Sequence, residues 1–354
     1  MEIKNLSVDI IIPVYNCRNF IDRCLKSILD QKCQEKLRII LVDDGSTDGS
    51  SKIVDNYADN FQNIIAIHKK NGGLSSARNA GLELVESDYF TFIDPDDWVS
   101  NSYFNLVANE LAVNSVDILM TPYIKKYKNT ELKTFVFGNR KVKFNKSETK
   151  SVVLRRLFGL IGSELQHPLT VDNLSTVWAK IYKSSKFKEV NFTDKSEIYS
   201  EDLWFNINCF KIATDTMFLN TVFYIYNKEN ESSIVHTYHA TILEEYTNLY
   251  RKMRIAIIDN ELGPMFNEAL NNRIILNELI MLRNVSKSHF SISKKKEIIE
   301  RILNDPIYMN CFKNFDFRLL PFTYRIFYKS CEKKNIVIVM LFLLIGESLK
   351  KKVK

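Results

Sequence analysis

Three carboxylates fall within four residues in the segment Asp94-Pro95-Asp96-Asp97, at the end of a strand-like stretch. Carboxylates so close together repel one another, and a stable fold tolerates them mainly when a cation or hydrogen-bond donors neutralise the cluster. Hard oxygen ligands select Mn²⁺ or Mg²⁺, which usually bind through one or two carboxylates together with phosphate oxygens of a substrate. The cluster therefore predicts a divalent metal ion and a substrate that carries phosphate.

Polar turns follow four strand-like stretches in the first part of the chain. Each turn alone is an ordinary capped turn of Asp, Asn and Gly. In an open parallel sheet, however, the carboxyl ends of the strands share one edge, where ligands bind. Four such turns predict one site, in which Arg78 and the backbone amides near Gly72-Gly73 help to hold a phosphate. The four segments are Pro13-Val14-Tyr15-Asn16, Asp43-Asp44-Gly45-Ser46, Asn71-Gly72-Gly73-Leu74 and Asp94-Pro95-Asp96-Asp97.

Asp202 is the candidate for a general base. Transfer to a hydroxyl needs a base within hydrogen-bond reach of that hydroxyl, and Asp202 lies just before the apolar and aromatic stretch 203–210. Ser200, Glu201 and Asp202 are also a favourable start for a helix, because acidic side chains are stabilised in the first turn. The residues by themselves leave both interpretations open.

The order of elements predicts an α/β fold. Apolar, β-branched runs alternate with stretches of helical periodicity over the first 122 residues. Short strands joined by helices need right-handed crossovers, which gives a mostly parallel sheet flanked by helices. The predicted strands are 8–14, 38–44, 63–68, 89–94 and 117–122.

The remainder of the chain is less regular. Residues 123–235 contain an alternating segment, 133–144, that fits either a hairpin or an edge strand. Residues 236–354 carry an almost wholly helical pattern. We therefore expect three parts, which are 1–122, 123–235 and 236–354.

Composition and missing motifs exclude several classes of protein. Apolar residues make up 45% of the chain and charged residues 26%, as in soluble globular proteins and unlike disordered or collagen-like chains. No G-x-G-x-x-G follows the first strand and no G-x-x-x-x-G-K-[ST] occurs, which disfavours a dinucleotide-binding domain and a phosphate-loop NTPase. Phosphatases with an aspartate nucleophile carry Asp-x-Asp-x-Thr, whereas Trp98 stands at the fifth position here. The six cysteines show no zinc-binding spacing.

Four motifs, in their order and spacing, resemble the nucleotide-sugar domain of family 2 glycosyltransferases with the GT-A fold. The resemblance covers residues 7–122, and a weaker one continues through Val177–Phe187 and Tyr199–Asn206, which are similar to elements of bacterial polysaccharide and lipo-oligosaccharide transferases. It implies a GT-A type, nucleotide-sugar-binding sheet in 1–122 and an acceptor-binding half in 123–235. The motifs are IIPVYN, ILVDDGSTDGS, NGGLSSARNAG and YFTFIDPDDW, followed by VWAKIYKSSKF and YSEDLWFN.

The resemblance also implies which residues bind the nucleotide. Pro13 and Tyr15 match positions that line the base pocket. Asp44 matches the acid that accepts a hydrogen bond from the uracil ring, with Asp43 beside it. The other residues expected to contact the donor are Asn71, Gly73 and Arg78.

The paired acids match the Asp-x-Asp motif of that family. Asp94 is expected to face the ribose and, with Asp96, to bind the metal ion on the diphosphate, and Asp97 to share either role. The family often has a small residue between the two acids, where this chain has Pro95. Since only the acids supply ligands, this departure affects the expected metal site little.

An inverting, metal-dependent glycosyltransferase is the function that the resemblance implies. A sugar would pass from a nucleotide donor, expected to be UDP-linked, to a hydroxyl of a cell-surface glycan or a lipid-linked oligosaccharide. Asp202 matches the carboxylate that acts as general base, and Mn²⁺ or Mg²⁺ is the expected cofactor. Residues expected on the acceptor side are Trp178, Lys180 and Glu201.

Two other functions compete with this one. A nucleotidyltransferase that makes nucleotide sugars should carry a Gly-rich loop with Arg and Lys after the first strand, and the sequence has none there. A binding module for nucleotides or carbohydrates with a dead site is the non-enzymatic alternative. The complete set of Asp94, Asp96 and Asp202 argues against it.

The basic charge is concentrated in the last third of the chain. Residues 236–354 carry 20 Lys and Arg against 12 Asp and Glu, whereas residues 1–235 carry 29 against 30. The apolar run Ile336–Ile345 is too short to span a bilayer, which needs about 20 residues, but it suits a helix lying in an anionic membrane interface. A helical bundle with a solvated lysine tail is the alternative. No RNA-binding module is recognisable, so we expect no nucleic-acid partner.

The start of the chain is a poor signal peptide, because Asp9 and Pro13 interrupt its first apolar stretch. We therefore expect a cytoplasmic protein, peripheral on the inner face of the cell membrane.

Overall fold

The structure is a computed structural model that describes residues 6–32, 36–194, 196–229 and 237–353, with the backbone alone for residues 347–353. The chain divides into two compact units. The first consists of Met1–Leu154 and Ser175–Asn230, and the second of Arg155–Leu174 and Glu231–Lys354. Residues 155–174, which the sequence suggests for the acceptor-binding half, thus belong to the second unit. The three-part functional division stays a prediction.

An eight-stranded sheet forms the centre of the first unit, in the order β3-β2-β1-β4-β10-β6-β11-β9. β3, β2, β1 and β4 are parallel to one another, whereas β10 runs antiparallel between β4 and β6. The strands are β1 (Val8–Val14), β2 (Leu37–Asp43), β3 (Ile64–His68), β4 (Tyr89–Phe92), β5 (Trp98–Val99), β6 (Ile118–Met120), β7 (Tyr123–Lys126), β8 (Glu131–Thr134), β9 (Val142–Phe144), β10 (Lys180–Lys183), β11 (Thr216–Phe218) and β12 (Tyr224–Asn227).

Helices cover this sheet and make up most of the second unit. The α/β class and the helical nature of the C-terminal region are therefore confirmed. The helices are α1 (Ile21–Leu29), α2 (Ser50–Asn60), α3 (Leu74–Leu82), α4 (Tyr103–Asn114), α5 (Lys146–Glu148), α6 (Arg155–Phe158), α7 (Ser184–Phe187), α8 (Glu201–Ile212), α9 (Ile242–Asp259), α10 (Pro264–Ser286), α11 (Ile292–Leu303), α12 (Pro306–Phe312), α13 (Phe322–Glu332) and α14 (Ile336–Val353).

The central strands are buried on both faces. Every residue of β1 is buried, as its unbroken apolar sequence predicts for a parallel strand covered by helices on both sides. α3 lies very close to this strand, because a Cβ atom on Gly81 would stand 2.4 Å from Cγ2 of Ile11. A glycine at this position therefore sets how near α3 can lie to the sheet.

A second sheet of four strands, in the order β5-β12-β7-β8, belongs to the same unit. The alternating segment 133–144 contributes to both sheets: β8 is the edge of the small sheet and β9 the edge of the large one. The edge-strand alternative is therefore correct. β8 pairs with β7 and β9 with β11, so the two strands do not form a hairpin with each other.

The second unit is built around α10, which buries residues along its whole length. α6, α9, α11, α12 and α14 all contact it. α14 contains the apolar run predicted at Ile336–Ile345. In the part of the chain that the structure describes, no helix combines the length and the apolar character needed to cross a bilayer.

Candidate active site

The carboxyl ends of four parallel strands lie side by side in the first unit, in the order β3-β2-β1-β4. Backbone hydrogen bonds hold successive turns together. The Asp44 amide donates to the Val14 carbonyl over 2.8 Å, and the Lys69 amide donates to the Asp43 carbonyl over 2.9 Å. The four polar turns of the sequence therefore meet at one edge of the sheet.

Asp44 is the buried centre of this edge. Its Oδ1 accepts hydrogen bonds from Lys69 Nζ at 2.6 Å and from the Gly72 amide at 3.0 Å, and its Oδ2 accepts one from the Gly73 amide at 2.8 Å. Gly73 precedes α3 with a φ of +85°, a conformation that glycine adopts without a steric penalty. Asp44 thus fixes the loop that leads into α3.

The Asp43 carboxylate stabilises the turn that follows β2 and binds His68 at the end of β3. Its carboxylate accepts hydrogen bonds from the Ser46 amide, the Ser51 hydroxyl and His68 Nδ1, at 3.1, 2.6 and 2.9 Å. Burial by itself would raise the pKa of Asp43, but these hydrogen bonds outweigh it and lower the pKa. The sequence did not single out His68, although its place at the end of a strand was the available signal.

Tyr15 presents an aromatic ring at the open edge. Pro13 is buried at the end of β1, whereas the Tyr15 side chain two residues later is half exposed. Asn16 fixes the turn, because its Oδ1 accepts a hydrogen bond from the Thr47 amide at 2.8 Å. Asn71 is exposed in the loop before α3. An exposed ring beside the turn of Asp44 offers a stacking surface for a planar base.

Asp97 points into the protein. Tyr224 donates its hydroxyl to Oδ2 at 2.5 Å and the Asn227 amide donates to Oδ1 at 2.7 Å, both from β12. Burial raises the pKa of Asp97 well above its usual range, and Asp96 and Asp94 add to that rise while Tyr224 and Asn227 oppose it. The position of Asp97 lends no support to its expected contact with ribose or metal. It anchors the acidic turn to the small sheet.

Arg78 joins the acidic turn to the candidate base. It is 1% exposed, and its Nη2 donates to Asp94 Oδ1 at 3.0 Å while its Nη1 donates to Asp202 Oδ1. Glu201 Oε1 lies 4.0 Å from the same Nη1. The rings of Phe92 and Phe192 flank the guanidinium. The structure therefore brings together Asp94 and Asp202, which are 108 positions apart in the sequence, on one buried cation.

The acidic turn has the donor chemistry of a Mn²⁺ or Mg²⁺ site. Burial raises the pKa of Asp94 to about 6, Arg78 opposes this rise, and the negative charges of Asp202 and Asp96 add to it. Asp94 and Asp96 are both partly exposed. Within the described residues, no three acidic, histidine or cysteine side chains form a metal site by themselves. Two carboxylates fit an ion whose other ligands are phosphate oxygens and water.

The three residues expected on the acceptor side are all buried. Trp178 is buried and stacks on Tyr224 at 4.6 Å, so its ring supports the partner of Asp97 and is not available to an acceptor in this conformation. Lys180 is also buried and donates to the Thr176 carbonyl. Burial lowers the pKa of Lys180 to about 7, against the opposing charge of Asp202. Glu201, also buried, is the one of the three that faces Arg78.

Known proteins resemble this chain along most of its length. The family model described as "Glycosyl transferase family 2" matches residues 9–163. The uncharacterized glycosyltransferase EpsJ of Bacillus subtilis (strain 168) is 31% identical over 300 residues, which cover 84% of this chain and 83% of that protein. The minor teichoic acid biosynthesis protein GgaB of the same organism is 39% identical over 122 residues, which cover 33% of this chain and 14% of that protein.

Solved structures share the fold. TarS 1-349 of S. aureus in complex with UDP-GlcNAc matches with a TM-score of 0.64 and 17% identity, covering 98% of this chain and 92% of that one. The mannosyltransferase PcManGT from Pyrobaculum calidifontis, solved with GDP-Man and Mn²⁺, matches with a TM-score of 0.52 and 15% identity, covering 96% and 87%. With the EpsJ similarity along most of both chains, these findings place the chain in glycosyltransferase family 2, and it is a glycosyltransferase with a GT-A type fold.

Proposed function

We propose that this glycosyltransferase moves a sugar from a UDP-linked donor to a hydroxyl of a cell-surface glycan or a lipid-linked oligosaccharide, with inversion at the anomeric carbon. The observation that carries the proposal is the placement of Asp94 and Asp202 on the two arms of Arg78. A residue of the donor-side acidic turn and a carboxylate at the start of α8 thereby belong to one buried network. Transfer requires the donor and the acceptor hydroxyl to lie side by side, and Arg78 holds the proposed donor-side and acceptor-side carboxylates next to each other.

The turns that carry Tyr15 and Asp44 support a nucleotide donor. The exposed ring of Tyr15 and the buried carboxylate of Asp44 lie on neighbouring turns of the sheet edge. Asp44 already accepts the Gly72 and Gly73 N–H groups, so in this conformation they fix the loop and do not hold a phosphate as the sequence suggests. TarS, whose structure shares this fold, is solved with UDP-GlcNAc. We therefore place the uracil against the exposed ring of Tyr15, within reach of Asp44, whereas the buried Pro13 supports the turn from below the surface.

Asp94 and Asp96 would hold Mn²⁺ or Mg²⁺. Once bound there, the ion would supply positive charge that stabilises the leaving diphosphate. Arg78 contributes a permanent positive charge to the same region and holds the Asp94 carboxylate in one orientation. Asp97 keeps the turn attached to β12, so that the two ligands face the open edge.

Asp202 would accept the proton of the acceptor hydroxyl. Its side chain is partly exposed, and Arg78 and the Val177 amide hold its two oxygens. Each carboxylate oxygen has a second lone pair, so both hydrogen bonds leave room for a hydroxyl. Attack by that hydroxyl in a single displacement inverts the anomeric configuration.

A panel of nucleotide sugars tests the donor. With Mn²⁺ present, we expect one UDP-linked sugar to raise the melting temperature, since a ligand at 100 times its Kd stabilises by about 2.7 kcal/mol. The same sugar should release UDP on incubation with the enzyme. The Asp44→Asn variant should lose this preference for UDP. Stronger stabilisation by a GDP-linked sugar would contradict the uracil assignment, and no response to any nucleotide sugar would contradict the donor site.

We propose a membrane contact at the α13–α14 face of the second unit, which we define as Phe322, Ile326, Val337, Leu341 and Leu344. On α14, Val337, Leu341 and Leu344 are 70%, 51% and 64% exposed, whereas Val339 and Leu343 on the opposite side are buried. The segment Ile336–Ile345 of α14 is apolar on every side of the helix, and such a segment is normally covered on every side. The exposed apolar side chains of α14 therefore form a surface suited to contact with lipid or with another apolar surface.

α13 extends this face and adds charge to it. Phe322 is 73% exposed, and Ile326 lies one turn further along the same side of the helix. Lys329 and Lys333 follow at the same helical spacing and are exposed. Apolar side chains in line with lysines fit the boundary of an anionic lipid layer, where each Lys contributes about 1 kcal/mol. We propose that this face holds the enzyme peripherally on the inner face of the cell membrane.

Vesicle sedimentation tests the membrane contact. We expect the protein to bind phosphatidylcholine vesicles that contain phosphatidylglycerol at low salt, and the double variant Leu341→Ser with Leu344→Ser to bind at least tenfold more weakly. Leu132 and Ile212 are as exposed in the first unit, so their double serine variant is the matched control. No binding by the unmodified protein would contradict the proposal. A change of oligomeric state in the double variant without lipid would instead indicate a protein interface.

A further inference from the structure

Asn206 is a fully buried amide one helical turn after Asp202. Its Nδ2 donates to the carbonyls of Ser175 and Thr176 at 2.9 and 3.1 Å and lies 3.0 Å from the Asp202 carbonyl. Its Oδ1 accepts a hydrogen bond from the Tyr182 hydroxyl at 2.9 Å. The side chain thereby ties the segment before β10 to the first turn of α8.

The peptide group between Thr176 and Val177 connects this network to Asp202. Its carbonyl accepts from Asn206 and from the Lys180 ammonium, and its N–H donates to Asp202 Oδ2 at 3.3 Å. The described residues contain no cis peptide bond. In a trans peptide the carbonyl and the N–H point in opposite directions. Side chains that hold this carbonyl from behind therefore aim the N–H at Asp202.

The neighbouring peptide groups are held in the same way. The Val177 carbonyl lies 3.2 Å from the Tyr182 hydroxyl, which shares its single proton between this carbonyl and Asn206. Burial raises the pKa of Tyr182 well above its usual range, so the hydroxyl remains a donor. Ala179 ends the segment with a φ of +56°, and its carbonyl accepts from the Thr121 amide at 3.0 Å. Three successive carbonyls, those of residues 175–177, are thus fixed by buried side chains.

We propose that Asn206 is a positioning residue for transfer, which acts by fixing the Thr176–Val177 peptide and through it the orientation of the Asp202 carboxylate. Because Asp202 acts as the base only under the proposed function, this role of Asn206 rests on that proposal. Asn206 touches neither substrate. A carboxylate must stay within about 0.5 Å of its productive position, and Asn206 supplies that precision from inside the fold.

The expected effect falls on turnover and not on donor binding. Asn206→Leu keeps the shape of the side chain but removes its hydrogen-bonding groups. The Thr176 carbonyl is then left to Lys180, and the 176–177 peptide is held less firmly against Asp202. We expect kcat to fall roughly 10- to 100-fold, a loss typical of misplacement by about 1 Å, with UDP affinity unchanged within twofold. Tyr182→Phe removes one hydrogen bond of the network and keeps the aromatic packing, so it should fold and lower kcat less.

A double-mutant cycle with Asp202→Asn tests this route. If Asn206 acts through Asp202, Asn206→Leu should cost nothing further in the Asp202→Asn background, because the group that it positions is already gone. Asn284 is the matched control, a buried amide of the second unit that holds both the amide and the carbonyl of His239. Asn284→Leu should lower the melting temperature and leave kcat unchanged.

Additive losses in the cycle would overturn the positioning role and leave Asp202 as the base. A loss of UDP affinity that matches the loss of kcat for both Asn206→Leu and Tyr182→Phe would also overturn it, since a damaged fold gives that result. If Asp202→Asn alone retains full turnover, Asp202 is not the base. That result contradicts the proposed function and, because it depends on that function, the role of Asn206 as well.

Discussion

Arg78 is a buried cation shared by the carboxylates of the candidate site. Its side chain is 1% exposed and lies against Asp94, Asp202 and, at 4.0 Å, Glu201. One buried cation faces more than one carboxylate, so negative charge remains in excess near the acidic turn. Such an excess favours the arrival of a divalent cation.

Asp96→Ala should abolish transfer and metal-dependent UDP binding without unfolding the protein. Asp96 is partly exposed at the open edge, so its removal takes away a ligand and leaves the core intact. Isothermal titration of UDP with and without Mn²⁺ measures the loss of metal-dependent binding, and a transfer assay measures activity, which we expect to fall at least a hundredfold. An unchanged Mn²⁺ dependence would contradict the assignment.

Asp97→Asn gives the contrast that separates a ligand from an anchor. The variant puts a side-chain NH₂ where a carboxylate oxygen accepts a hydrogen bond from the Tyr224 hydroxyl or from the backbone N–H of Asn227. Loss of that buried hydrogen bond lowers the free energy of unfolding by about 1–3 kcal/mol. A lower melting temperature is therefore expected for this variant and not for Asp96→Ala. Equal melting temperatures for the two variants would argue against the anchoring role of Asp97.

Asp202→Asn should keep donor binding and lose turnover, because a base acts in the transition state and not in donor binding. General bases contribute roughly 10²–10⁴-fold, and a loss of that size in kcat is expected with UDP affinity nearly constant. Asp194, an exposed acid that caps a turn at Ser196, provides the control as Asp194→Asn. Loss of UDP affinity with turnover retained would move Asp202 out of the base role.

At the scale of elements, the distance between α3 and β1 positions the donor loop. Gly72 and Gly73, whose amides bind Asp44, lie at the start of α3. Gly81 lies near the end of the same helix, where it faces Ile11 of β1. A shift of α3 would therefore displace the loop that Asp44 holds beside the proposed donor site.

Gly81→Ala should destabilise the first unit by about 1–3 kcal/mol, because the new Cβ would lie 2.4 Å from Ile11 Cγ2. UDP affinity should fall with it as α3 moves. Gly346 in α14 has open space around it, so Gly346→Ala should leave stability the same or slightly higher. Denaturant unfolding measures both variants, and unchanged stability of Gly81→Ala would show that α3 and β1 adjust freely.

At the scale of the whole molecule, a buried acid makes stability depend on pH. Glu278 of α10 is fully buried, and the thiol of Cys331, a weak donor, lies against its carboxyl group. Burial raises its pKa from 4.5 to about 8. The folded state thus keeps a proton that the unfolded state releases, so stability should fall as the pH rises from about 4.5 to about 8.

Glu278→Gln should remove this dependence. The gain in stability should be near zero at pH 4 and reach on the order of 3 kcal/mol at pH 7, since pH 7 lies about 2.5 units above the unfolded pKa and each unit corresponds to 1.36 kcal/mol. Melting temperatures of both proteins across this pH range measure the difference. A difference that does not grow with pH would show that Glu278 is ionised in the folded state.

The local sequence determined the nucleotide-sugar half of the fold and the turns of the candidate site. The β-branched runs and helical periodicities predicted β1, β2, β3 and β4 and the helices between them. Parallel strands must place their carboxyl ends at one edge, and this constraint brought Asp44 and Asp94 to the same side without any further information. The motifs that resemble family 2 glycosyltransferases lie in those turns, which explains why the family was recognisable from residues 7–122.

Only the tertiary structure decided which acids face a ligand and which face the core. Asp96 and Asp97 are neighbours in the sequence, yet β12 returns from more than 120 residues later to bind Asp97. β10 likewise enters the sheet antiparallel and brings Tyr182 to Asn206. Such contacts join residues that are far apart along the chain, and no local propensity or spacing encodes them. They depend on how buried polar groups find partners once the core has closed.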